Sequence, residues 1–371
     1  MKIFRIACFL IILALALPVT ALGYDTVNAQ SEAINTDAVE DSLGGTAADI
    51  MEGESIKSGV DINRLLGKLA SAAKEKLSSI VKESVVSASL LVLAAMLCSV
   101  ASSFIKTGGL GDVDYITLVG IAAVSSLSFG GVRSFVSEAT LMADEIGDFS
   151  KMLLPALTAA ASASGNISSA TAKYAVITMF LSLMISVIRT VILPLVYAYM
   201  AASIASAAFG GDGLSGASSL MKWAATNVLI VLVLAFTVYI TISGVVTGTA
   251  DAAATRLTKT VLSTALPVVG GIISDAAQTV LTGASVLKNS IGIYGLFAVL
   301  AICLVPFLRL GVNYVIYKGA ALLASAVSDK AIGKAISSIG TAIGIILGAS
   351  GSCAMMLFFS IISVIKAVTV L

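Results

Sequence analysis

The chain has no histidine among its 371 residues, and only 12% of them are charged. The first absence removes the commonest general base and the commonest metal ligand, so hydrolase triads and zinc sites are not expected. The second removes the water-facing surface of an ordinary globular domain, where about a quarter of residues are charged. Cysteine is scarce: Cys8, Cys98, Cys303 and Cys353 stand far apart in apolar surroundings and form no C-x-x-C pair. That is the pattern of small buried hydrophobes rather than of redox or disulfide chemistry. Basic residues nowhere interleave with aromatics, so nucleic-acid binding has no support. No paired-acid or nucleophile motif is present, and the chain is expected to be neither an enzyme nor the holder of a cofactor.

What is abundant is apolar: 58% of residues are hydrophobic and the mean hydropathy is +1.04. A soluble fold cannot hide that much apolar surface, and the expected fold is all-α, a polytopic transmembrane helix bundle with broken or re-entrant segments. A signal peptide and a short acidic extracytoplasmic arm are expected to precede it. Residues 1–21 carry Lys2 and Arg5, an apolar stretch from Cys8 to Leu17, and Pro18-Val19-Thr20-Ala21 as a cleavage site; an uncleaved anchor is the competing reading. Residues 22–61 are acidic and rich in Ser, Gly, Ala and Asn, a composition that predicts disorder because burial cannot offset the entropy of ordering. Over 62–83, Leu65, Leu66, Leu69, Ala73, Leu77, Ile80 and Val81 recur at helical spacing opposite most of the lysines. This predicts an amphipathic helix, either lying on the membrane or leading into the first span.

Residues 84–371 read as a multi-span membrane domain. Ser84 to Ile105 is uncharged and long enough to cross, and Tyr115 to Val132 follows as a shorter span. Arg133 onward predicts a one-sided helix bearing Glu138, Asp144, Glu145, Asp148 and Lys151. A re-entrant or broken segment is then expected around Pro155 and Ser164-Gly165-Asn166. Tyr174 to Phe209 exceeds one ordinary span and carries Arg189 and Pro194, so it reads either as a hairpin turning near Arg189 or as one long kinked helix. Gly210 to Gly216 is a turn and lacks the lysine of a phosphate loop. Further spans are expected over Trp223 to Val246, Ser290 to Leu308 and Ile339 to Ile365. The topology stays open between five and eight crossings, because lysines and arginines occur in nearly every connection.

Polar residues inside such segments are the candidate functional ones. Asp275 and Gln278 share a helix face, and Lys288 follows on the same side; with Arg189 they either pair structurally or line an aqueous path. Gly244 with Gly248, and Gly340 with Gly344 and Gly348, recur every four residues and form small faces suited to close helix packing. No metal ligand set is visible.

Three ordered stretches carry a resemblance. Pro267-Val268-Val269-Gly270-Gly271-Ile272-Ile273-Ser274-Asp275-Ala276, continuing through Gln278-Thr279-Val280 and Ser285 to Gly292 and closing at Pro306, is the longest. Met152 to Leu157 with Ala163 to Asn166, and Tyr317 to Ile339 with Ser328-Asp329-Lys330-Ala331-Ile332-Gly333, are the others. Together they resemble the stage III sporulation protein AE family of endospore-forming bacteria. The resemblance implies a non-enzymatic membrane subunit of the sporulation channel, a secretion-like complex in the mother-cell membrane around the forespore, required for endospore development. It implies as partners the bilayer and the complex's ATPase, ring and other membrane subunits, and brings no catalytic residues. The alternative from the residues alone is a stand-alone secondary transporter, with the segments around Pro155 and Pro267 as corresponding interrupted helices.

Overall fold

The structure, a computed structural model, describes residues 30–105, 115–165, 167–265 and 270–366; of these, the side chains of 105, 167–169, 243–279 and 366 are not described. Two short helices, α1 (Thr36–Asp41) and α2 (Gly45–Met51), precede α3 (Ile62–Ile105) and α4 (Tyr115–Ala163). Then come α5 (Ile167–Val187), a single π-helical turn (Ile188–Ile192), α6 (Leu193–Phe209), α7 (Asp212–Ala265), α8 (Gly270–Val327) and α9 (Lys330–Lys366). Among the described residues no strand occurs, and six helices are long and apolar enough to cross a membrane.

The core is built around the α8–α9 hairpin. Over half of the most apolar window of each is buried within the protein, 61% for α8 and 56% for α9, against 17–33% for the other four. Helices α3, α4, the α5–α6 rod and α7 surround that pair. Glycines set the closest approaches. Gly120 of α4 lies against Cys98 of α3 and Ile332 of α9, Gly295 of α8 against Leu153 of α4, and Gly147 of α4 against Ile185 of α5.

Every long helix outruns a bilayer. At 1.5 Å per residue the 37 residues of α9 span about 55 Å and the 44 of α3 about 66 Å, whereas the hydrocarbon core is about 30 Å thick. The expected amphipathic helix at 62–83 and the span beginning at Ser84 are therefore one uninterrupted rod.

Of the expected breaks, the one at Pro155 is absent while the chain does turn at Ser164-Gly165, and of the two readings of Tyr174 to Phe209 the kinked helix is the one observed. Pro155 sits inside α4, and the chain turns only after Ala163, where Gly165 takes a φ of 95°. Packing against α8 and α9 holds the flanking turns together, so the missing N–H of Pro155 does not break the helix. The segment from Tyr174 to Phe209 is likewise a kinked rod and not a hairpin. Pro194 removes one amide donor and crowds the carbonyl four residues earlier; the wide turn at Ile188–Ile192 accommodates this, with the Leu193 N–H donating five residues back to Ile188. The α6–α7 connection is confined to Gly210 and Gly211, both at positive φ.

Residues 30–61 differ most from the disorder that their composition predicts. Val39, Ile50, Met51 and Ile56 are buried, with α1 packed on α4 and α2 on α8. The acids organise this segment. Glu40 accepts from the Ile56 N–H at 2.7 Å and the Ser55 hydroxyl at 2.9 Å, and Glu54 accepts from the Asp61 N–H at 2.9 Å. Asp61 caps α3, accepting from the Asn63 and Arg64 amides at 3.0 and 3.1 Å. Helices of six and seven residues bury only two or three side chains each, too short a stripe for periodicity to stand out in the sequence. The expected signal peptide at 1–21 lies outside the described residues.

Candidate functional site

Charge enters this apolar bundle at few places, and among the described residues two ion pairs join helices far apart in the chain. Arg189, beside the π-helical turn of the α5–α6 rod, forms an ion pair with Asp144 of α4. One and a half turns earlier on α4, Glu138 faces Arg309 of α8 at 3.6 Å, with only 16% of the glutamate side chain exposed. Within α4, Asp148 and Lys151 pair at 2.7 Å. Helix α4 thus presents acids to two neighbouring helices. The two interhelical pairs also fix the mutual height of the rods they join.

A second polar cluster closes one end of the bundle. Lys288 of α8 is 1% exposed and donates to the Ile365 carbonyl at 2.9 Å, while Lys173 of α5, also 1% exposed, donates to the Ser363 carbonyl at 3.2 Å. These carbonyls belong to the last turn of α9, where no intrahelical donor remains and the dipole is negative. Two ammonium groups from two helices therefore hold the C-terminus of a third. At the other end, Lys318 of α8 reaches Ser337 and Thr341 of α9, donating to the Ser337 carbonyl and hydroxyl at 2.9 and 3.0 Å and to the Thr341 hydroxyl at 2.6 Å.

Of the residues singled out in the sequence, Arg189 and Lys288 are placed with partners. Asp275 and Gln278 lie on the α8 backbone but their side chains fall outside the described set. Along one continuous helix, positions 275 and 288 are about 20 Å apart. Gly340 and Gly344 lie against Tyr317 with Lys318, and against Tyr314, of α8, whereas nothing comes within 4 Å of a Cβ built on Gly348. The side chains around Gly244 and Gly248 are not described, and Pro267 falls outside the described residues. Sequence reading missed Lys173, Arg309 and Lys318 as interhelical donors, and placed Glu138 and Asp144 on a one-sided helix without naming their partners on α8 and the α5–α6 rod. The available signal was a lone charge flanked by apolar turns.

Among the described residues no group of three His, Cys, Asp or Glu side chains is placed to hold a metal, and the described cysteines, Cys98, Cys303 and Cys353, are free. The arrangement can fix helix heights and seal bundle ends.

Six long apolar helices, cross-linked by internal ion pairs and by lysines on helix-end carbonyls, define a polytopic helical membrane protein. No solved structure matches it. The chain belongs to the stage III sporulation protein AE family, whose sequence profile, described as "Stage III sporulation protein AE", matches residues 45–368. Stage III sporulation protein AE of Bacillus subtilis (strain 168) is 24% identical over 241 residues, covering 65% of this chain and 60% of the relative. The matched region thus spans about three fifths of that relative's length.

Proposed function

We propose that this protein is a non-enzymatic membrane subunit of the sporulation channel between mother cell and forespore, working beside an ATPase, ring-forming proteins and other membrane subunits. The observation that carries the proposal is the family match over residues 45–368. Supporting it, Arg189, Arg309, Lys173, Lys288 and Lys318 are engaged in helix-to-helix contacts, the economy of a scaffold rather than of a site that turns over substrate. The stand-alone transporter is disfavoured because Pro155 lies within an unbroken α4, so one of its two interrupted helices is missing.

The test is an affinity pull-down of the tagged chain from mildly solubilised membranes of sporulating cells, with mass spectrometry of the co-purifying proteins. Recovery of an ATPase, ring proteins and small membrane subunits is the expected result. Recovery of the chain alone, together with substrate flux in vesicles containing only this protein, would overturn the proposal in favour of the transporter.

A further inference from the structure

The outward faces of the bundle change character at heights that can be compared through interhelical contacts. On α3 the outward charges all come before Ser84, the last being Lys82 and Glu83, with Leu66, Leu77 and Val81 exposed among them, and beyond it the outward face is uncharged, with Val86, Leu90, Leu93, Leu97 and Phe104 all at least half exposed. On α4 the outward face is uncharged from Tyr115 to Phe129 and gains charge from Arg133, followed by Glu145, Asp148 and Lys151, with Leu141 and Met152 exposed among them. Cys98 lies against Gly120, and for antiparallel neighbours that register puts Ser84 level with residue 134. Two separate helices therefore leave their apolar zone at one height.

The opposite flank does not. Gly147 of α4 lies against Ile185 of α5, and Phe180 of α5 packs on Phe236 and Tyr239 of α7, with ring centroids 5.5 and 6.2 Å apart. Carried through these antiparallel pairs, Phe236 is level with about residue 152 of α4, some 30 Å beyond the switch at Val132. Yet at this height α7 turns Val231, Leu234, Val238 and Ile242 outward, each more than half exposed. The described charged outward residues of α7, Asp212 and Lys222, come earlier in the helix, beside exposed Leu220 and Trp223, and the outward Thr226, Thr237 and Thr241 hydroxyls donate to carbonyls of their own helix. The apolar belt is staggered from one flank to the other by about one bilayer thickness.

Run lengths bear on the same point. The uncharged stretches 223–250 of α7 and 335–365 of α9 measure about 42 and 46 Å along their axes, half as long again as the hydrocarbon core, and an over-long apolar helix fits a bilayer by tilting. We propose that the bundle lies oblique in the membrane, so that the lipid-covered band runs from one height on the α3–α4 flank to another on the α7 flank. Lipid then covers α3 and α4 over 85–104 and 115–129 on one flank and α7 over 230–242 on the other. The charged half of α3 and the Arg133–Lys151 face of α4, with the folded segment 30–61 beside them, stand in water on one side. The α6–α7 turn and the start of α7 stand in water on the opposite side.

Because the chain contains a single tryptophan, Trp223, depth can be read optically. In a Trp223→Phe background, one tryptophan at a time is placed at an exposed position by Leu97→Trp, Leu234→Trp, Leu77→Trp or Leu141→Trp. The purified full chain is reconstituted in phosphatidylcholine brominated at the middle of its acyl chains. The oblique bundle requires quenching by more than half at both 97 and 234 and little quenching at 77 and 141. Quenching at only one of 97 and 234 would refute the tilt and assign the unquenched face to a protein contact. Strong quenching at 77 or 141 would equally overturn the water boundary on α3 and α4. Parent Trp223, next to Lys222, is expected at the headgroup edge, quenched more by bromine near the glycerol than at mid-chain. None of these outcomes depends on which complex the protein joins.

Discussion

Replacing Lys288 with methionine keeps the length of the side chain in its buried slot and removes only the ammonium that holds the Ile365 carbonyl. A hydrogen bond with one charged partner contributes about 1.5–3 kcal/mol, and placing a cation at a helix C-terminus adds about 0.3–1 kcal/mol. Against this stands the desolvation of an ammonium that is 1% exposed, which the substitution relieves and which can offset much of the gain. The orphaned carbonyl decides the sign, since the last turn of α9 has no other backbone donor for it. We expect a net loss of about 1–2 kcal/mol in the docking of that turn. Amide hydrogen exchange at residues 361–365 should then run roughly 5- to 30-fold faster in detergent or nanodiscs, with the middle of α9 unchanged. Lys173→Met, which removes the longer bond to Ser363 at 3.2 Å, should show a smaller effect. Because the two ammonium groups serve carbonyls two residues apart, each single change also relieves repulsion for the partner, so the double variant should lose more than the sum of the singles. Unchanged or slower exchange in Lys288→Met would refute the reasoning, since burial of the ammonium would then outweigh its bond.

The ion pair between α4 and the kinked rod predicts that Asp144→Arg and Arg189→Asp each lower the yield of folded protein, and that the double exchange restores most of it, checked by size-exclusion and thermal melting. Gly344→Leu should destabilise by about 1–3 kcal/mol, because a Cβ there would stand 2.9 Å from the Tyr314 ring. Gly348→Ala, with open space around it, should be neutral or stabilising by up to about 1 kcal/mol in a thermal melt. The hydrogen bond from Lys57 to Asp37 raises the lysine above its usual pKa. Its stabilisation of segment 30–61 is thus fully present below the ordinary lysine value and lost as pH rises through the raised one. A Lys57→Met variant should accordingly be cut faster than the parent within residues 42–60 at neutral pH and equally fast at a pH above that range.

Class and composition were legible in the sequence because membrane burial acts on every residue of a span: a chain this apolar has few alternatives to a helical bundle. The three ordered segments around Pro155, Pro267 and Asp329 carried the family. Where helices stop was less legible. Pro155 and Pro306 lie inside helices, since in a packed bundle a missing donor is tolerated when neighbouring rods hold the flanking turns. Composition also misjudged residues 30–61, where order comes from Glu40, Glu54 and Asp61 satisfying specific amides, and a count of acids cannot distinguish a cap from a solvated charge.

Pairing was illegible for a different reason. Glu138 and Arg309, or Lys173 and Ser363, meet across more than a hundred residues of chain, and periodicity along one helix says which face a residue occupies but not its height against a neighbour. The acids of α4 illustrate the consequence. Read alone they mark a face turned to solvent; set at their true height, Glu138 and Asp144 clamp α8 and the α5–α6 rod, while Glu145, Asp148 and Lys151 remain outward beyond the point where α3 and α4 turn polar. A run of four acids in one helix thus divides into two that hold the bundle and two that face water. Periodicity cannot make that division, because 145 follows 138 by seven residues and 148 follows 144 by four, so each outward acid shares its helix direction with an inward one and only the neighbour packed at that height separates them.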